Sequence, residues 1–81
     1  MAIQRKANIV GHRVREARLK TKPPITQEDL VARLQVQGLS YIDQAKISRI
    51  ESCTRPVLDY EIVALAKALN TTVNWLLTER D

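Results

Sequence analysis

The stretch TQEDLVARLQVQGLSYIDQAKISRIE, residues 26–51, contains two start signals for a helix. Thr26 can accept a hydrogen bond from the amides of the turn that follows it, and an apolar stripe with helical spacing comes next. Asp43 can cap a second helix that continues to about Glu51. Gly38 tolerates the left-handed conformation in which helices end. The stretch therefore predicts two short helices joined by a turn.

The second of these helices has two different faces. At about 100° per residue, Ile47 and Ile50 share one direction. The opposite direction holds Ala45, Ser48, Arg49 and Ser52, with Gln44 near the boundary. Guanidinium, amide and methyl groups are those that can meet guanine, adenine and thymine in a major groove. Any short amphipathic helix also turns polar residues outward, so this pattern alone leaves both interpretations open.

Helical spacing continues towards both ends of the chain. NIVGHRVREARLK, residues 8–20, predicts a first helix with Asn8 as its N-cap and an apolar face of Val10, Val14 and Ala17. The adjacent prolines of TKPPI, residues 21–25, interrupt it because they lack amide donors.

On the C-terminal side, DYEIVALAKALN predicts a fourth helix with an apolar face of Ile62, Leu65, Ala66 and Leu69. Asn70 can take the terminal role that glycine usually fills. Thr72 is predicted to cap a short fifth helix, VNWLLTER, whose Val73, Leu76 and Leu77 face the core with Trp75 alongside. Strand-like alternation does not occur, so the predicted class is all-α.

Length and charge set limits on the organisation. Eighty-one residues suit one compact domain. We place it at residues 9–78, after a polar segment at 1–8 and before a short tail at 79–81. The net charge of +4 is unevenly placed, because residues 1–22 hold seven basic side chains against Glu16 alone. These are Arg5, Lys6, Arg13, Arg15, Arg18, Lys20 and Lys22. Such an end attracts a polyanion or is simply a solvated charge run.

Other classes of function find little support in the residues. Cys53 is the only cysteine and His12 the only histidine, and no metal-ligand spacing, activated nucleophile or phosphate loop is present. We therefore expect no enzymatic activity, no metal and no cofactor. With no membrane-spanning apolar run and no export signal, the expected location is the cytoplasm.

Taken together, TQEDLVARL, ISRIE, the RP dipeptide, DYEIVALAKAL and VNWLL resemble the Cro and phage-repressor type helix-turn-helix family, also called the XRE family, over about residues 9 to 77. The resemblance implies a compact five-helix, lambda-repressor-like domain. It also implies a sequence-specific regulator, in the usual case a repressor, that binds a double-stranded DNA operator as a homodimer with its third helix in the major groove.

The resemblance also assigns roles to individual positions. Gln44, Ala45 and Arg49 fall where family members contact bases. The positions for contacts to the DNA backbone are Arg13, Gln27, Lys46, Ser48 and Arg55. Gln27 would in addition brace Gln44. Arg18 and Glu51 match a pair that forms an internal salt bridge between the first and third helices.

The chain departs from the family pattern in three places. QVQGLSYIDQ is longer than the compact family turn, and KTKPP lengthens the link before the second helix. Leu58 stands where a capping serine or threonine is usual, so Asp59 is expected to serve as the N-cap one residue later.

Two alternatives remain beside the regulator. The same fold occurs in protein-interaction modules such as the antitoxins of toxin-antitoxin pairs, which bind a protein partner. A regulator that responds to a small molecule is the other, for which the signal is expected to arrive through a partner, proteolysis or loss of dimerisation. For the dimer, helix five and the tail TERD are the expected contact.

Overall fold

A computed structural model describes residues 6–78, and within this range the protein is all-α, as predicted. Five helices follow one another: α1 (Gly11–Lys20), α2 (Gln27–Val36), α3 (Gln44–Glu51), α4 (Asp59–Ala68) and α5 (Val73–Leu77). Arg5 of the basic segment and residues 79–81 of the predicted dimer contact lie outside the described residues.

The core is built from the apolar faces of all five helices. α3 packs against both α1 and α2, while α4 packs against α2 and α5, and α1 also contacts α5. Val14, Leu30, Ile47 and Ile50 are fully buried. Leu76 is the buried residue of α5, whereas Leu77 is 40% exposed, so the prediction that Leu77 faces the core is wrong.

Three of the predicted helix starts are confirmed. The Thr26 hydroxyl accepts from the Asp29 amide while the Asp29 carboxylate accepts from the Thr26 amide, which is a reciprocal capping box. Asp43 accepts from the Lys46 amide at 2.8 Å, and Thr72 accepts from the Trp75 amide at 3.0 Å.

The predicted cap of α4 is wrong. Leu58 occupies the N-cap position, and Asp59 is the first helical residue. The Glu61 carboxylate, three residues later, accepts the Leu58 amide at 2.9 Å. Leu58 has no side chain that can cap the helix. The buried Glu61 carboxylate in the first turn accepts the backbone amide of Leu58.

α2, α3 and α4 end in the same way, with one residue at positive φ. Gly38 (φ 94°) and Asn70 (φ 55°) were predicted for this position, and Cys53 (φ 63°) takes it after α3. After α3, the Cys53 amide donates to the Ile50 carbonyl and the Thr54 amide to the Arg49 carbonyl. This is the bonding pattern of a Schellman motif, which satisfies the last carbonyl groups of a helix.

Asn8 joins the beginning of α1 to the end of α3. Val10 occupies the N-cap position of α1, so the prediction of Asn8 as the N-cap is wrong. The Asn8 side-chain oxygen nevertheless accepts the backbone amides of Val10 and Gly11 from just before the helix. Its side-chain nitrogen donates to the carbonyl groups of Ile50 and Arg55. Asn8 therefore belongs structurally to the packed unit.

The long link between α2 and α3, residues 37–43, is held at several points. The side-chain amide of Gln35 donates to the Ile42 carbonyl, and the side-chain amide of Gln37 donates to the Ala64 carbonyl of α4. The Tyr41 hydroxyl donates to Glu61 at 2.5 Å. Leu39 and Ile42 are buried. The added length of this link is therefore tied to α2, α4 and the core.

Candidate nucleic-acid interface

α3 buries one face and exposes the other, as its sequence predicts. Ile47 and Ile50 are completely buried. The outer face consists of Gln44, Ala45, Ser48, Arg49 and Ser52, all exposed. Because the buried isoleucines fix the rotation of the helix about its axis, the outward direction of these side chains is set by the core.

The two long polar side chains of this face are free within the described residues. Neither the Arg49 guanidinium nor the Gln44 side-chain amide forms a hydrogen bond or ion pair there. The hydrogen bond from the Lys46 backbone amide is the main cause that lowers the pKa of Asp43, and the positive charge of Arg49 acts in the same direction. Unpaired donors on a rigid helix remain available to an external acceptor.

Lys46 and Gln27 lie at the border of this face. Lys46 is partly buried and its ammonium lies 3.4 Å from the Asp43 carboxylate. Gln27 lines the same shallow depression as Gln44, but its amide donates to Glu51 at 3.2 Å. The structure thus brings Gln27 and Gln44 together and gives the Gln27 amide a partner other than Gln44.

Arg18 and Glu51 form a bidentate ion pair between α1 and α3. Arg18 Nε donates to Glu51 Oε2 at 2.7 Å and Nη2 donates to Oε1 at 3.0 Å. The remaining Arg18 nitrogen donates to the Ile25 carbonyl at 2.9 Å, and both side chains are almost fully buried. The hydrogen bond to Glu51 raises the pKa of Arg18 more than burial lowers it.

Arg13 lies on a different part of the surface. Its guanidinium carbon is 4.5 Å from the centroid of the Trp75 ring, in the range of a cation–π contact. It also donates to the Thr78 carbonyl and lies 3.4 Å from Glu16. Arg13 was predicted to contact phosphate. In the structure its side chain already contacts α5 and the residue that follows it.

Arg55 belongs to a network that the sequence did not indicate. Its guanidinium lies 3.1 and 3.2 Å from the two carboxylate oxygens of Glu61, which is 1% exposed and also accepts from Tyr41 and the Leu58 amide. Burial alone would raise the pKa of Glu61, but the hydrogen bonds from Arg55, Tyr41 and Leu58 hold it below its ordinary value. The bond to Glu61 raises the pKa of Tyr41.

This network predicts a particular dependence of stability on pH. The fold lowers the pKa of Glu61, so its ionised carboxylate adds to the free energy of unfolding. This stabilisation is complete above the ordinary pKa of 4.5 and is lost as the pH falls through the pKa of the folded state. We expect Glu61→Gln to be less stable than the parent at neutral pH, with a difference that narrows below pH 4.5. Urea unfolding across this range measures it, and parallel curves would contradict the expectation.

The basic side chains of the first helix and its flank are distributed in several directions. Arg18 is internal, Arg13 lies on Trp75, and Lys20 pairs with Glu16 at 2.8 Å. Lys6, Arg15 and Lys22 are exposed. The charge of this part of the chain is thus less concentrated on one surface than the sequence suggests.

No family model, curated protein or solved structure matches the chain closely enough to establish a relationship. Within residues 6–78, no group of three or more histidine, cysteine or acidic side chains is arranged to hold a metal ion. None of the helices in the same range combines the length and apolar content needed to traverse a bilayer.

Proposed function

We propose that this protein is a sequence-specific double-stranded-DNA-binding regulator of the Cro and phage-repressor type, with α2 and α3 as its helix-turn-helix. The observation that carries the proposal is the outer face of α3, on a helix fixed by two buried isoleucines. Gln44 and Arg49 are exposed there and have no side-chain partner among residues 6–78. A rigid short helix that presents an amide and a guanidinium fits direct readout in a major groove.

In this proposal, contacts with bases and with phosphates have different origins. Gln44 and Arg49, with Ala45 against a thymine methyl group, would discriminate bases. Ser48 on the outer face, with Lys46 and Gln27 at its border, would contact phosphates and set the position of the helix. Arg55 already donates to Glu61 and Pro56. It would contact phosphate only through the N–H groups that these hydrogen bonds do not use.

Dimerisation on a two-fold operator is part of the same proposal. We place the contact between the two chains on α5, where Leu77 is exposed. Two half-sites also give affinity and direction that a single short helix does not.

Arg49→Ala is expected to relax sequence preference. A good bidentate contact to guanine discriminates by about 1 to 3 kcal/mol, so the variant should lose most of its preference at one base position and little of its binding to random duplex. Selection from random duplexes, followed by anisotropy titration at several salt concentrations, measures the sequence preference and the binding to random duplex. The endpoint of the same titration tests dimerisation, because it should give two chains per selected duplex.

Lys67→Ala is the matched control, because it removes one exposed positive charge from α4 and leaves α3 intact. It should weaken all duplexes equally. An equal loss over all sequences for Arg49→Ala would contradict base reading, and a selection that recovers no motif with the parent protein would overturn the proposed function.

A further inference from the structure

A basic groove lies where α1, α2 and the junction between α4 and α5 meet. Its lining consists of Ala17, Lys20, Thr21, Lys22, Arg33, Leu69, Asn70, Thr71 and Trp75. Three of these nine side chains are cationic and none is acidic. No residue of α3 contributes, so the groove is separate from the candidate nucleic-acid interface.

The cations of this groove are available to different degrees. Lys20 is already paired with Glu16. Lys22 is exposed and has no hydrogen bond or ion pair within the described residues. Arg33 uses one nitrogen to donate to the Ala68 carbonyl at 2.9 Å, which holds its guanidinium near the groove and leaves its other donors. Lys22 and Arg33 are therefore the side chains that can neutralise a bound anion.

Neutral donors and an apolar wall complete the lining. The side chains of Asn70 and Thr71 form no hydrogen bond within residues 6–78, so an amide and a hydroxyl remain to orient a ligand. Trp75 is half-buried, and the Arg13 guanidinium 4.5 Å from its ring centroid helps to fix the ring. Sites for small ligands combine an apolar wall of this kind with a few placed polar groups.

We propose that this groove binds a small organic anion with a flat apolar body, of the class of aryl carboxylates. The carboxylate would lie between Lys22 and Arg33, where a charged oxygen gains charge-assisted hydrogen bonds. The apolar body would pack on Trp75, which supplies a large rigid surface. The proposal uses no residue of α3, so it does not rest on base contacts by Gln44 and Arg49.

Phenylacetate is a suitable probe, with phenylacetamide as its uncharged counterpart of the same shape. Trp75 is the only tryptophan of the chain, so its fluorescence reports directly on the groove. We expect saturable quenching by phenylacetate and none by phenylacetamide. Lys22→Gln and Arg33→Gln should each weaken binding by about fivefold. Amide shifts in nuclear magnetic resonance spectra should centre on residues 69–75.

Arg15→Gln is the control, because it removes an exposed charge from α1 without touching the groove. It should leave the affinity unchanged. Equal affinity for inorganic phosphate and phenylacetate, binding by a polyanion alone, or no effect of Lys22→Gln and Arg33→Gln would overturn the proposal. The titration contains no DNA, so its failure leaves the proposed regulator role untouched, and the reverse also holds.

Discussion

Gly11→Ala is expected to destabilise the protein strongly, although it adds only one methyl group. A β-carbon at Gly11 would lie 2.1 Å from the Ile50 carbonyl oxygen and 2.8 Å from the Cys53 sulfur. In an open helix position the same change stabilises by up to about 1 kcal/mol. Here the clash is with backbone, so α1 must move away from α3, and the free energy of unfolding should fall by about 3 kcal/mol or more.

Urea unfolding measured by circular dichroism tests this expectation. His12→Ala, at the exposed neighbouring position of α1, should stay within about 0.5 kcal/mol of the parent. Adding Cys53→Ala to Gly11→Ala should not restore stability, because the shortest distance is to a carbonyl oxygen and not to the sulfur. Unchanged stability of Gly11→Ala would contradict the close packing of α1 on α3.

Arg18→Ala is the second change with a large expected effect. Among the described residues, it leaves the buried Glu51 carboxylate with the Gln27 side-chain amide as its one side-chain donor. It also removes the donor to the Ile25 carbonyl. Removing one partner of a buried ion pair costs about 3 to 5 kcal/mol, because the other charge remains without compensation. The free energy of unfolding at neutral pH should fall by that amount.

Two further variants separate this effect from a simple loss of charge. Arg15→Ala removes an exposed guanidinium from the same helix and should change stability by less than about 0.5 kcal/mol. The double variant of Arg18→Ala and Glu51→Ala should lose clearly less than the sum of the single losses. Strict additivity would mean that the pair does not interact.

Much of the helical framework could be predicted from sequence because its signals are local. Thr26, Asp43 and Thr72 each cap the next turn, and the isoleucines of α3 follow a helical period, so a few adjacent residues suffice. The ends at Gly38 and Asn70 likewise depend on the backbone preference of one residue.

The features that could not be predicted from the sequence depend on contacts between residues far apart in the chain. Glu61 accepts from Tyr41 and Arg55 through the packing of the long turn on α4, and no spacing in the sequence indicates this. The same network replaces the Asp59 cap, since Glu61 reaches the Leu58 amide. For the candidate site, the sequence located the exposed face of α3 but not the engagement of Arg13 with Trp75, which requires knowing where α5 lies.

The division of α3 into a buried and an unengaged face also has a practical meaning for engineering. Ile47, Ile50 and Glu51 hold the helix in place, whereas Gln44, Ala45, Ser48 and Arg49 form no side-chain hydrogen bond within residues 6–78. A library randomised at those four exposed codons should therefore retain folded members at high frequency. Such a library would let target preference be reprogrammed on an unchanged scaffold.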